Sequence, residues 1–280
     1  MTAMPGRQKG TMERIREAVE AIRGRADLTP GVGIVLGTES AGLVDGIENR
    51  LLFPYQEIPH FPRSIPGTRG GRLSLGKLAG TPVAVMEGPS HRHPGSSLQE
   101  ETFPVRVLRL LGAEVLVASG VWGGLNPLWR AGELVLLEDH INLLGDNPLV
   151  GDNPEELGPR FPDMSEPYDR GLRETAKAAA LEAGVWLNRG IYAALMGPGG
   201  ETRAECRMLR RMGADVVGKS IVPEVIVARH MDMRVLGLGM IGDERLSDGP
   251  EALDPSRTIE IATQAQPRLT ALIRDVVSRL

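Results

Sequence analysis

The feature that most constrains this chain is a rhythm: short apolar runs that end on glycine, separated by longer amphipathic stretches. The runs Gly33–Leu36, Arg72–Leu75, Val83–Met86, Val115–Ala118, Leu134–Leu137, Ile191–Leu195, Val216–Val217 and Val235–Met240 read as strands. The stretches Met12–Ile22, Leu98–Leu111, Tyr168–Ala183, Arg203–Met212, Pro223–Met231 and Ser256–Leu280 carry helical apolar spacing. Such alternation predicts an α/β fold. Two helix starts carry capping boxes, Ser97-Leu98-Gln99-Glu100 and Thr202-Arg203-Ala204-Glu205. In each, the hydroxyl and the glutamate three residues on satisfy one another's backbone N–H groups. Gly112 and Gly213 close the same two helices. Ligands of open α/β sheets lie beyond the carboxyl ends of strands. Gly37, Gly88, Gly120-Val121-Trp122-Gly123-Gly124, Gly197–Gly200 and Gly242 all fall at those ends, which predicts one small-molecule cleft.

Composition narrows the remaining classes. With 280 residues and no shift in composition along the chain, residues 1–280 read as a single domain. A net charge of −4 with interleaved signs gives no electrostatic basis for binding nucleic acid or an anionic membrane. The longest apolar stretches, Val222–Val227 and Val235–Ile241, are too short to span a bilayer. Met1–Gly10 has no apolar core for export, so a cytoplasmic location is expected. The one cysteine, Cys206, excludes an internal disulfide and a cysteine-rich zinc site, and its helical setting favours packing over catalysis. Asn142–Pro167, rich in Gly, Pro, Asn and Asp, reads as a long irregular connection that is functional or packs against a neighbour.

Six blocks lie in and around these strand ends: Tyr55-Gln56-Glu57-Ile58-Pro59-His60-Phe61-Pro62, Thr102-Phe103-Pro104-Val105-Arg106-Val107, Asp139-His140-Ile141-Asn142-Leu143, Arg160-Phe161-Pro162-Asp163-Met164-Ser165, Glu201-Thr202-Arg203-Ala204-Glu205-Cys206-Arg207 and Val222-Pro223-Glu224-Val225-Ile226-Val227-Ala228-Arg229-His230. In content and order the chain resembles the trimeric purine nucleoside phosphorylases, from about Pro30 to Leu238. The resemblance implies a mixed central β-sheet flanked by helices and a homotrimer with sites near subunit interfaces. It also implies purine-salvage chemistry that uses inorganic phosphate as co-substrate, with no metal or organic cofactor. A purine nucleoside and phosphate would be the small-molecule partners.

Carried over residue by residue, the resemblance implies a phosphate site of Thr38, His91, Val121 and Ser220, with His91 also in a catalytic role. It implies a purine site of Glu201 and Asp243, and a ribose site of His93, Lys219 and Arg257. Asp243, also assigned a catalytic role, stands where the family has asparagine. A carboxyl there can accept from an exocyclic amine or, protonated, donate to N7, as in relatives that prefer 6-aminopurines. Several positions depart from the family. Glu39 replaces a glycine beside phosphate, Pro89 replaces an arginine, Thr68 replaces a histidine, and Gly200 replaces an aromatic wall. Arg92, from a shifted backbone, or Arg69, adjacent to Thr68, could recover part of the lost charge. Trp122 must either fill the cleft or pack beneath it, and Leu157 falls near the aromatic residue that a neighbouring subunit contributes. Three functions share this fold. They are a phosphorylase with a weakened phosphate site, a nucleosidase in which Glu39 activates water, and a non-catalytic purine-binding homologue.

Overall fold

The computed structural model describes residues 9–37, 41–62, 70–88, 96–246 and 254–280. Ten strands form one sheet in the order β2-β3-β4-β1-β5-β10-β6-β9-β8-β7. They are β1 (Val32–Val35), β2 (Glu48–Pro54), β3 (Arg72–Leu78), β4 (Thr81–Glu87), β5 (Val115–Ala118), β6 (Val121–Gly124), β7 (Leu134–Asn142), β8 (Leu187–Ala194), β9 (Val216–Gly218) and β10 (Arg234–Glu244). The helices are α1 (Thr11–Arg23), α2 (Ala41–Asp45), α3 (Leu98–Leu111), α4 (Arg170–Glu182), α5 (Arg203–Arg211), α6 (Val222–His230) and α7 (Pro255–Ser278).

The sheet is mixed. β4, β1, β5 and the first half of β10 run parallel, while β2 and β3 extend one edge antiparallel. Every residue of β1 and β5 is buried, as strands covered on both faces require. One face packs on α1, α3 and α6 through Ile15, Ile22, Phe103, Val107 and Val225. The other packs on α2, α4 and α7 through Leu43, Leu172, Ala176, Leu272 and Val276. β10 changes partners along its length: Arg234–Gly237 pairs with β5, Leu238–Met240 with β7, and Met240–Glu244 with β6. Because β7 also pairs with β8, and β9 lies between β8 and β6, the far half of the sheet curls round onto β10. The cleft forms at this curl.

Most of the sequence reading holds, including both capping boxes. Two strands depart from it. β2 opens on Glu48, Asn49 and Arg50 and is largely exposed, and its short apolar run, Leu51-Leu52-Phe53, was not read as a strand. Val121–Gly124 reads as a glycine turn but forms β6. Gly242, read as lying after the last strand, sits inside β10, where the register with β6 shifts between Ile241 and Asp243. A Cβ there would collide with Val121 and Thr258, so glycine lets the strand bulge toward β6 and α7. As read, the connection from residue 143 to 167 is irregular apart from one short 3-10 turn, Glu155–Leu157.

Candidate active site

The end of the site where the resemblance places the purine is assembled from three elements. The Thr202 capping box fixes the start of α5, and Glu201 stands immediately before that cap. β9 runs directly into Lys219 and Ser220, and the bulged end of β10 delivers Asp243 and Arg245. The Glu201 side chain is only 1% exposed, so its charge needs partners. Two cations supply them: Lys219 Nζ pairs with Glu201 Oε1, and Arg245 Nη1 pairs with Oε2. Arg245 also grips Asp243 side-on, with Nε donating to Oδ1 at 2.8 Å and Nη2 to Oδ2 at 3.2 Å. One guanidinium therefore bridges both carboxylates expected to read the purine. Burial pushes the Asp243 carboxyl up to about 6, and burial likewise lowers Lys219.

Gly123 makes the seat for that guanidinium. A Cβ at 123 would run into Nε and Cδ of Arg245. The backbone N–H of Arg245 donates to Gly124 O at 2.7 Å, tying it to β6.

The end where the resemblance places phosphate is held through the backbone. The Tyr192 hydroxyl donates to Ser220 O at 2.9 Å and accepts from Ser220 N at 3.3 Å. Trp122, 2% exposed, packs edge-on against Tyr192 with ring centroids 5.4 Å apart, so its bulk lies beneath the cleft. Ile221 follows at φ +68°, a left-handed conformation that a β-branched residue adopts only under constraint. The buried Glu224 carboxyl supplies part of it, accepting from the backbone at Ile221 and at its own residue. Burial pushes Glu224 up to about 7, and its Oε2 has no hydrogen-bond partner. A cavity of about 20 Å³ beside it is bounded by Leu98, Glu101, Lys219 and Ser220 among others.

The structure thus brings Glu201 and Asp243 together around Arg245, with Lys219 paired to Glu201 and Ser220 next to it in the chain. Lys219, expected on the ribose side, is engaged by Glu201. Val121 opens β6 with its side chain against Gly242. Arg257 is exposed in the first turn of α7, next to the Thr258 that packs on Gly242. Leu157 is buried in its own core at 6% exposure. Thr38, Glu39, Thr68, Arg69, Pro89, His91, Arg92 and His93 lie outside the described residues. Arg245, Tyr192 and Glu224 were not anticipated as site residues. Among the described residues, no group of His, Cys, Asp and Glu could hold a metal ion, and no helix is long and apolar enough to cross a membrane.

Comparisons with known proteins agree on one family. The model of the phosphorylase superfamily matches residues 31–278. Purine nucleoside phosphorylase 1 of Bacillus subtilis is 40% identical over 267 residues, covering 95% of this chain and 98% of the relative. The Bos taurus purine nucleoside phosphorylase is 43% identical over 243 residues, covering 85% and 84% of the two chains. Among solved structures, a Schistosoma purine nucleoside phosphorylase in complex with hypoxanthine superimposes with a TM-score of 0.92 at 34% identity, covering 98% of this chain and 99% of that one. Isoform 2 of the Schistosoma mansoni enzyme, in complex with cytosine and ribose-1-phosphate, gives 0.93 at 34% identity, covering 97% and 98%. With the family model spanning nearly the whole chain and relatives at this identity over most of it, the chain belongs to the purine nucleoside phosphorylase family.

Proposed function

We propose that this chain cleaves purine nucleosides by phosphorolysis. Inorganic phosphate attacks C1′ of the sugar, the bond from C1′ to N9 breaks, and free base and ribose 1-phosphate are formed. The observation that carries this reading is the charged cluster at the base end. The departing purine takes the bonding electrons, so its negative charge must be met by donors or cations in a water-poor site. Arg245 and Lys219 bring positive charge there, and Glu201 is placed to accept from N1–H. At the other end, the Ser220 hydroxyl, the Val121 N–H and the start of α6 favour an anion. Thr38 and His91 are proposed to complete the phosphate site, with His91 also acting in catalysis. His93 and Arg257 are proposed to contact ribose. The Schistosoma relatives solved with hypoxanthine and with ribose-1-phosphate support the same pair of products.

The reading requires no metal or organic cofactor and places the enzyme in the cytoplasm. The proposed assembly is a homotrimer. Phe161 and Val150, 84% and 63% exposed on the long connection, support a partner on that surface. Light scattering would give three times 30.2 kDa, and a monomer at micromolar concentration would exclude the trimer. The activity is tested by measuring base released from inosine, guanosine and adenosine with and without inorganic phosphate. Phosphorus NMR identifies the sugar product. Phosphate-dependent release with ribose 1-phosphate is the expected result. Phosphate-independent release would move the chain to the nucleosidases, and no release would make it a binding homologue.

A further inference from the structure

The guanidinium of Arg245 touches both carboxylates assigned to the purine, and nothing in the family pattern calls for it. We propose that Arg245 is a specificity-determining residue that reads the six-position edge of the base, with Asp243 as its positioning residue. This rests on the phosphorylase reading above.

Chemistry at the fork carries the argument. A guanidinium has five N–H donors in fixed directions and no acceptor. Asp243 takes the side-on pair from Nε and Nη2, and Glu201 Oε2 faces Nη1 as an ion pair without an aligned hydrogen bond. Nη1 makes no hydrogen bond and Nη2 makes one, so both keep an N–H for a ligand, and the group is oriented on three sides. Asp243 holds the fork, the glycine at 123 leaves room for it, and the backbone at 245 is bonded to β6.

With both Asp243 oxygens engaged by Arg245, the edge presented to the base is one of donors. O6 and N7 of a 6-oxopurine are both acceptors and suit an arginine fork. N6–H₂ and N7 of a 6-aminopurine are a donor and an acceptor, which suit an amide side chain instead. Glu201 fits the same base, because N1 carries a hydrogen in a 6-oxopurine and none in a 6-aminopurine. The carboxyl at 243, taken alone, points to a 6-amino group, and its engagement by Arg245 reverses that expectation. The positive charge also faces the ring atoms on which the departing purine gathers negative charge.

Two measurements test this, one of them independent of turnover. Calorimetry of the wild type with free hypoxanthine and free adenine should show hypoxanthine binding at least about tenfold tighter. In Arg245→Met the ratio should fall by about 5- to 150-fold, the discrimination of one bidentate pair. Arg245→Lys, which keeps the charge and loses the fork, should lose most of the same discrimination. In the presence of phosphate, kcat/KM for inosine should drop in Arg245→Met while that for adenosine holds or rises. Equal binding of the two bases by the wild type would overturn the proposal without any variant. So would an equal loss for both bases in a variant whose circular dichroism and melting temperature match the wild type. If no nucleoside is cleaved, the phosphorylase reading fails, and the two base affinities still decide the role of Arg245.

Discussion

At the proposed base end, Glu201, Lys219, Asp243 and Arg245 meet side chain to side chain. At the proposed phosphate end, Ser220 and Ile221 are set by a tyrosine hydroxyl, a buried carboxyl and a left-handed backbone turn. The difference follows from what each end must do. Purines differ in the donors and acceptors on their edge, and side-chain charges can be rearranged to match them. Phosphate does not vary, so its contacts can be built into backbone geometry. Selectivity for the base should therefore respond to single side-chain changes, and phosphate affinity to changes that loosen the turn.

The largest expected effect lies under the phosphate end. Glu224 is raised to about 7, so the folded protein holds that proton more tightly than the unfolded chain does. The stability this contributes is full below about 4.5 and is lost as pH rises through about 7. Glu224→Gln keeps an acceptor for Ile221 N–H and removes the charge. Urea denaturation should show the variant more stable by up to about 3 kcal/mol at pH 8 and nearly equal to wild type at pH 4. A wild-type stability that is flat between pH 4.5 and 8 would show that Glu224 does not strain this turn.

Next comes the base end itself. Glu201→Gln leaves Lys219 and Arg245 without their shared anion and weakens the N1–H acceptor. Loss of one charge-assisted hydrogen bond predicts a drop in kcat/KM of about 10- to 150-fold, with the KM for phosphate unchanged. Parallel losses for both substrates would erase the distinction between the two ends.

Tyr192→Phe should do the reverse. Removing the hydroxyl frees both backbone groups of Ser220, at a cost of about 1 kcal/mol in stability and about a fivefold rise in the KM for phosphate. Hypoxanthine affinity should stay constant by calorimetry.

Asp243→Asn is the smallest perturbation, because an amide oxygen still accepts from Arg245. In the wild type, hypoxanthine affinity should fall a few-fold as pH drops through about 6 and the Asp243 carboxylate is protonated. The variant should lack that step, and an identical acid limb in both proteins would assign it to another group.

The sequence showed the parallel core plainly, because β1 and β5 are buried on both faces and so read as unbroken apolar runs. It hid β2, whose exposed edge carries polar residues, and β6, whose two glycines signal a turn although they serve close packing. Of the four residues that the structure brings together, Glu201, Lys219 and Ser220 lie in or beside the quoted blocks, and Asp243 follows the glycine that the sequence reading placed after the last strand. Arg245 was not legible. Its contacts depend on a bulge in β10 and on room left by Gly123, more than a hundred residues earlier in the chain. Tyr192 carried only the signal of a buried strand residue, and Glu224 that of an ordinary first-turn glutamate.

The most direct test is a crystal structure of the protein with hypoxanthine and phosphate bound together. N1 of the base should lie within hydrogen-bond distance of Glu201, and O6 and N7 should face Arg245 with Asp243 still gripping its fork. Phosphate should lie against Ser220 and the start of α6. A base bound away from Glu201 and Arg245, or phosphate bound away from Ser220, would contradict the division of the cleft described above.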